Sequence, residues 1–307
     1  MKPFEPSRRV PVHPHPGLAP YLLVLPALGY LLFFWGYPAL YAVGLSLTDA
    51  SMTRPEARFV GMDNYLNLWR DPVFLVSLRN TGVLLAASVT LEVTVGLGIA
   101  LLLVRSNPLR RGVLITLLLV PWLFSPLVSA LTWRWIFQEP FGLLNAALRE
   151  VGISGKPWLA RPGSAMGAIL AASLWQGAGI SALVILAALR AIPSSLLDVS
   201  LTDGAAGWKR FRYVILPQIR AVLLLDCLLV GIKSLGAFTL VFALTGGGPG
   251  YATEILATYV YRLTFFLHEP GYASAAGIVL ALLFFTLVFL VFLQRRAVAF
   301  LGPRGGR

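Results

Sequence analysis

The sequence predicts an all-α membrane protein with six transmembrane helices, and three observations carry that expectation. Hydrophobic residues make up 57% of the 307 positions and charged residues only 12%, where an ordinary soluble domain has roughly 45–50% and 25%. The mean hydropathy is +0.77. Six apolar runs reach the ~20 residues that a helix needs to cross a bilayer, and the connectors between them alternate in cation content.

Lipid offers no water to an exposed backbone, so each run must close its hydrogen bonds as a helix. The first span is expected at 20–47, after "PVHPHPG", whose prolines deny it regular hydrogen bonding and leave it a tail. The apolar stretch that follows Arg9 is too long for the core of a cleavable leader. The remaining spans fall at 76–104, 112–136, 164–189, 219–244 and 272–293. Pro26, Pro38, Pro121 and Pro126 lie inside spans, where neighbouring helices re-satisfy the freed carbonyls, so kinks and not breaks are expected.

Direction follows from the cations. Fifteen lysines and arginines sit on one alternating set of connectors, beginning with Lys2, Arg8 and Arg9, and nine on the other. The positive-inside rule puts the fifteen, and both termini, in the cytoplasm. The other connectors carry Tyr65, Trp69, Trp133, Trp135, Trp158, Tyr251, Tyr259 and Tyr261, the aromatic residues typical of a membrane surface. The chain divides into a tail at 1–19, a six-span domain at 20–294 with a polar loop at 190–217, and a second tail at 295–307.

Several function classes are disfavoured at once. The net charge of +12 is scattered over short connectors and forms no basic face for nucleic acid. The single cysteine, Cys227, allows neither an intrachain disulfide nor a cysteine zinc site. His13, His15 and His268 are not grouped with carboxylates, so no metal or acid–base set stands out. A passive pore would need a ring of like charges that one chain of six spans does not supply.

The loop "LTDGAAGWKRFRYVILPQIR" (201–220) interrupts the apolar pattern. Pro193 and Ser194 can start a short helix, and Asp203-Gly204 favours a turn. A second short helix is expected from Ala205 to Ile215, before Pro217 restarts the fifth span. Ala205, Ala206 and Gly207 permit close approach of a partner backbone, and Lys209, Arg210 and Arg212 offer charge to a partner or to anionic lipid. The plainer alternative is a solvated turn with ordinary cytoplasmic cations.

"DVSLTDGAAGWKRFRYVILP" resembles the EAA loop of binding-protein-dependent ABC importer permeases. Asp203, Gly204, Ala205, Phe211, Leu216 and Pro217 match its pattern, while Asp198, Val199 and Ser200 stand where Glu-Ala-Ala is usual. "FVGMDNYLNL", "NPLRRG", "PWLFSPLVSALTWRWIF", "FGLLNAALREVGI", "LAALRAIPSSLLD" and "LTGGGPGYATEIL" follow in order and resemble the sugar-importer type, the multiple-sugar and glycerol-phosphate A subunits. The resemblance implies the type I importer architecture with a cytoplasmic coupling helix. It implies a second homologous permease, two cytoplasmic ATPase subunits and an extracytoplasmic solute-binding protein. It also implies a prokaryotic inner-membrane location and a sugar or oligosaccharide solute, with glycerol phosphate an option. The ATPase-coupling positions are then Asp198, Ser200, Asp203, Gly204, Ala205, Ala206, Gly207, Lys209, Arg210 and Phe211. ATP and magnesium belong to the ATPase partners and no cofactor to this chain. Consistently, Gly246-Gly247-Gly248-Pro249-Gly250 has no lysine after it and is not a phosphate loop. Those glycines either shape a loop that meets the binding protein or simply turn the chain.

Glu92, Asp226 and Lys233 fall within spans, where a charge costs at least roughly 2.5–3.5 kcal/mol and faces the bundle interior. Counted from the ends of their spans, Glu92 and Lys233 lie within about two turns of each other near mid-membrane. An ion pair between them, or a shared polar network, is expected, with Asp226 as the competing partner. Sugars bind through hydroxyl hydrogen bonds and aromatic stacking, so Trp175, Gln176, Phe238 and Thr239 are candidates for the substrate path; helix packing is the alternative role for each. A secondary transporter working without an ATPase is the rival reading of the whole chain. It would need paired inverted repeats and broken helices, and no second copy of the Asp-Gly-Ala loop is visible.

Overall fold

The computed structural model describes residues 19–54 and 56–300, with side chains at 21–54 and 56–294. Lys2, Arg8, Arg9, His13, His15, Arg304 and Arg307, and the side chains of Arg295 and Arg296, lie outside the described residues, as does most of each tail.

Among the described residues every named element is helical. Five helices are long and apolar enough to cross a membrane, and six spans result if one bent pair counts as a single crossing. The first span is α1 (Ala19–Leu31) and α2 (Tyr37–Ser46), joined through the π-turn Leu32–Gly36. A short α3 (Asp63–Leu68) precedes α4 (Pro72–Val104), the second span. Asp71 starts α4: its carboxylate accepts from the N–H groups of Val73 and Phe74 at 2.7 and 3.3 Å, which caps two otherwise unpaired donors.

The third span departs from expectation. It is two helices, α5 (Pro108–Leu123) and α6 (Pro126–Ile136), bent by 95°. The expected kink is a break because Pro126 disfavours helical geometry in the residue before it. Phe124 and Ser125 are both extended, and the Ser125 hydroxyl then accepts from the Val128 N–H at 3.3 Å, starting a new helix. After α7 (Leu143–Glu150) the fourth span, α8 (Pro162–Arg190), is a single helix at the centre of the bundle.

The fifth span also differs. After α9 (Ser194–Thr202), helix resumes at α10 (Gly207–Arg210), passes through the π-turn Phe211–Ile215 and continues as α11 (Leu216–Leu235). Pro217 therefore restarts nothing, and no separate helix ends at Ile215. In both π-turns the proline, Pro38 or Pro217, stands two residues after the turn. A proline ring clashes with the carbonyl four residues back, and one widened turn lets the helix pass that point unbroken. The expected span to position 244 instead breaks at Gly236-Ala237 and ends in α12 (Phe238–Thr245). α13 (Leu256–Phe265) and the last span, α14 (Pro270–Phe300), complete the chain.

Packing forms three apolar layers along the bundle. Phe74, Leu256, Tyr259 and Ala276 fill the layer at the start of α4. Leu84, Ile169, Val241 and Leu244 fill the middle. Ala100, Ile185, Leu186 and Ile219 fill the layer beside the polar loop. α4 and α8 run against each other through the second and third layers, and small residues allow it: a Cβ at Gly96 would overlap Ser181. The sites described next hang on these two helices and α11.

Candidate functional site: an elbow and a polar cleft

The elbow begins where Pro193, which cannot donate to a preceding turn, sits at the N-cap of α9. The helix ends in a Schellman closure. Ala205 N–H donates to the Ser200 carbonyl at 2.9 Å and Gly204 N–H to the Leu201 carbonyl at 3.1 Å, while Gly204 takes the left-handed φ of +72°. That geometry favours glycine, so the Asp203-Gly204 pair fixes the direction in which the chain leaves α9. Ser200 is buried and its hydroxyl donates to the Leu197 carbonyl at 2.7 Å. Asp198, Asp203, Ala206, Gly207 and Lys209 are exposed, and Ala205, Arg210 and Phe211 half-buried. Phe211 stacks on Trp208 with centroids 5.2 Å apart. Leu196, Val199 and Leu201 are exposed on this nine-residue helix. A short helix showing three large aliphatic side chains beyond the ends of its spans has the makings of a docking knob.

The cleft lies midway along the bundle. Lys233 on α11 places Nζ 2.6 Å from both carboxylate oxygens of Glu92 on α4. The Ser173 hydroxyl on α8 donates to Glu92 Oε1 at 2.9 Å. One ion pair thus ties three spans together. Gly177 makes room for it, since a Cβ there would collide with both the Glu92 carboxylate and Lys233 Nζ. Asp226 does not compete for Lys233; it accepts from the Ser181 hydroxyl at 3.2 Å, one layer nearer the elbow. Sequence reading missed Ser173, Gly177 and Ser181. The run of small residues in "ASLWQGAGISA" was the available signal, because helices that hold charged neighbours must let them in close.

Next to the pair is a cavity of about 90 Å³ lined by Ser173, Gln176, Lys233, Thr239 and Pro126 among others. Gln176 and Thr239 are therefore brought together with the charges. Trp175 and Phe238 are not. Trp175 stacks on Phe124 and meets Trp133 edge-on, both at 5.9 Å, and Phe238 packs on Tyr261 at 5.0 Å. Gln176 also supports the backbone, because its Nε2 donates at 2.9 Å to the Phe124 carbonyl, freed by the break between α5 and α6. Gln176→Leu should lower stability by about 0.5–1.5 kcal/mol, the net contribution of one hydrogen bond, read from thermal unfolding of the purified protein. Retention of the wild-type midpoint would show that the break is held by other means.

Residues 92–299 match the family model described as "Binding-protein-dependent transport system inner membrane component". The chain belongs to this family. Among its relatives, the trehalose/maltose transport system permease protein MalF of Thermococcus litoralis is 36% identical over 272 residues, 88% of this chain and 92% of that protein. The sn-glycerol-3-phosphate transport system permease protein UgpA of Yersinia pestis is 33% identical over 277 residues, 89% of this chain and 92% of that protein. The fold is shared with a chain of a bacterial alginate ABC transporter, solved with an alginate pentasaccharide-bound periplasmic protein. That likeness has a TM-score of 0.80 at 21% identity and covers 91% of this chain and 95% of that one. The protein is thus a multi-pass transport permease of the inner membrane.

At the end of the permease opposite the elbow, the glycine-rich loop is built and not merely slack. Gly246 closes α12 with a left-handed φ of +63°. Gly247, at φ +85°, packs so tightly on the buried Glu254 carboxylate that a Cβ would overlap it. Glu254 pairs with Arg262 at 2.5 Å, and Asn80 of α4 donates to the carbonyls of Tyr251 and Glu254 at 3.1 and 3.0 Å. Tyr259 nearby donates to Asp71 at 2.5 Å; burial first, then this bond to a carboxylate, pushes its phenol well above the usual tyrosine range. Gly247→Ala should cost upward of about 2 kcal/mol in strain and displaced charge. Its thermal midpoint should fall by several degrees, and an unchanged midpoint would show that the loop yields freely.

Proposed function

We propose that this permease carries a sugar or oligosaccharide inward as part of an ATP-driven importer. The assembly would hold a second homologous permease, two ATPase subunits that bind ATP and magnesium, and an extracytoplasmic solute-binding protein. Both termini and the elbow would face the cytoplasm, following the cation distribution. The names of the trehalose/maltose and sn-glycerol-3-phosphate relatives support a polyhydroxylated solute.

The observation that carries this reading is mechanical. Helix runs without a break from Gly207 at the elbow to Leu235 beside the cleft. At about 1.5 Å per residue, Gly207 and Lys233 are joined by roughly 39 Å of stiff rod. A displacement of the elbow by a closing ATPase dimer is then delivered to the ion pair and to the cavity. That cavity, at 90 Å³, has room for about three waters and not for a sugar ring. Passage of a sugar through this cavity would require helices to move.

The test is uptake in proteoliposomes. The permease with its partner permease, ATPases and loaded binding protein should take up sugar only with ATP and magnesium. Uptake by this chain alone, driven by an ion gradient, would establish the rival secondary transporter.

A further inference from the structure

A groove of about 730 Å³ opens on the side of the bundle between the last three turns of α4 and the elbow. Its α4 wall is Thr94, Leu97, Gly98, Leu101 and Val104, and the facing wall includes Leu197, Phe211 and Ile215. The Thr94 hydroxyl is already spent on carbonyls of its own helix, so this wall is apolar throughout. Two cations stand at one end only, Arg105 at the C-cap of α4 and Arg210 of the elbow. Neither forms a salt bridge among the described residues, and Arg210 Nε is buried with no hydrogen-bond partner. Trp208, 69% exposed, stands beside them.

We infer that this groove seats an anionic glycerophospholipid, its phosphate against Arg105 and Arg210 and one acyl chain along the α4 wall. Length, polarity and charge agree. From Thr94 to Val104 the wall is about 15 Å long, half of a ~30 Å hydrocarbon core, which is the reach of one chain in one leaflet. The basic end coincides with the end of a membrane span, where lipid phosphates lie and where clustered arginines select anionic headgroups. A protein segment filling the same groove would have to be apolar over its length and anionic at one tip, at a depth where lipid is already present. Since Leu197, Trp208 and Phe211 belong to the elbow, the lipid would brace the element that the proposed ATPase moves. The binding itself does not depend on that reading.

The permease, purified from membranes with whatever subunits accompany it and then stripped of lipid, is titrated with phosphatidylglycerol or phosphatidylcholine and weighed by native mass spectrometry. Wild type should retain one more phosphatidylglycerol than Gly98→Leu, whose side chain fills a part of the groove that is open in the wild type, and should show no such difference for phosphatidylcholine. Gly98→Ala should behave as wild type, and Arg105→Gln should weaken retention about five-fold, the effect of one cation at an anionic surface. Inorganic phosphate should not displace the lipid. Equal retention of the two lipids, equal retention by Gly98→Leu and wild type, loss in Gly98→Ala as large as in Gly98→Leu, or displacement by phosphate would each overturn the proposal.

Discussion

Lys233→Met should sharply reduce the folded permease recovered from membranes, and adding Glu92→Gln should restore most of it. Glu92 is 1% exposed and receives Lys233 and the Ser173 hydroxyl. Without the lysine it keeps one neutral donor in a medium that solvates charge poorly. Breaking a buried pair from one side costs about 3–5 kcal/mol; the Lys233 side chain is 39% exposed, which argues for the lower figure. Set against a total stability of about 5–15 kcal/mol, even 3 kcal/mol is a large loss. Removing both charges leaves two apolar or neutral groups of similar size, which is often tolerated. Yield and thermal midpoint of wild type, both single variants and the double variant give the coupling directly. A double variant as poor as Lys233→Met would show that the pair is not what the charge on Glu92 requires.

Gly204→Val should cut transport sharply while leaving the spans assembled. Gly204 holds a φ of +72° at the closure of α9, a conformation that costs an L-residue roughly 1–2 kcal/mol and a β-branched one more. The strain is small beside the stability of six packed spans, so the chain still folds. It is large for a nine-residue helix, which has little else to hold its direction. The result should be a drop of at least about ten-fold in ATP-driven uptake, a large effect by the standard of one to two kcal/mol, with normal amounts in the membrane. Gly204→Asn, which tolerates the left-handed region, should keep most of the activity. If Asn and Val variants lose transport equally, backbone direction at Gly204 is not the reason for a glycine there.

The spans were legible because lipid imposes a single rule on them, an apolar run of sufficient length. The elbow was legible for a similar reason: Pro193 and Asp203-Gly204 act on the backbone locally, and the structure puts α9 between them. The prolines misled in both directions. Pro126 broke a span because Ser125 could cap the helix that follows it, whereas Pro217 did not interrupt one because a π-turn absorbed its ring. Neither outcome is written in the proline itself; each depends on what its neighbours can offer. Depth counting sufficed to bring Glu92 and Lys233 together, although the helix that carries Lys233 ends two residues later. It could not place Asp226, whose partner Ser181 is one of three serines on α8. Trp175 and Phe238 stand apart from the charges, and their rings pack on Phe124, Trp133 and Tyr261. An aromatic residue in a span declares its size, and only the packing shows which side of it is free.

Contact between the elbow and an ATPase subunit is the claim on which the transport mechanism depends. Cys227 is replaced by serine, a cysteine is introduced at the exposed Ala206, and the assembled importer is treated with a short bifunctional thiol reagent. The expected result is one major crosslinked product between this permease and a nucleotide-binding subunit, with a yield that changes when ATP is added. A cysteine at 206 that reacts only with reagents applied from outside the cell, or that never joins an ATPase subunit in the assembled complex, would contradict it.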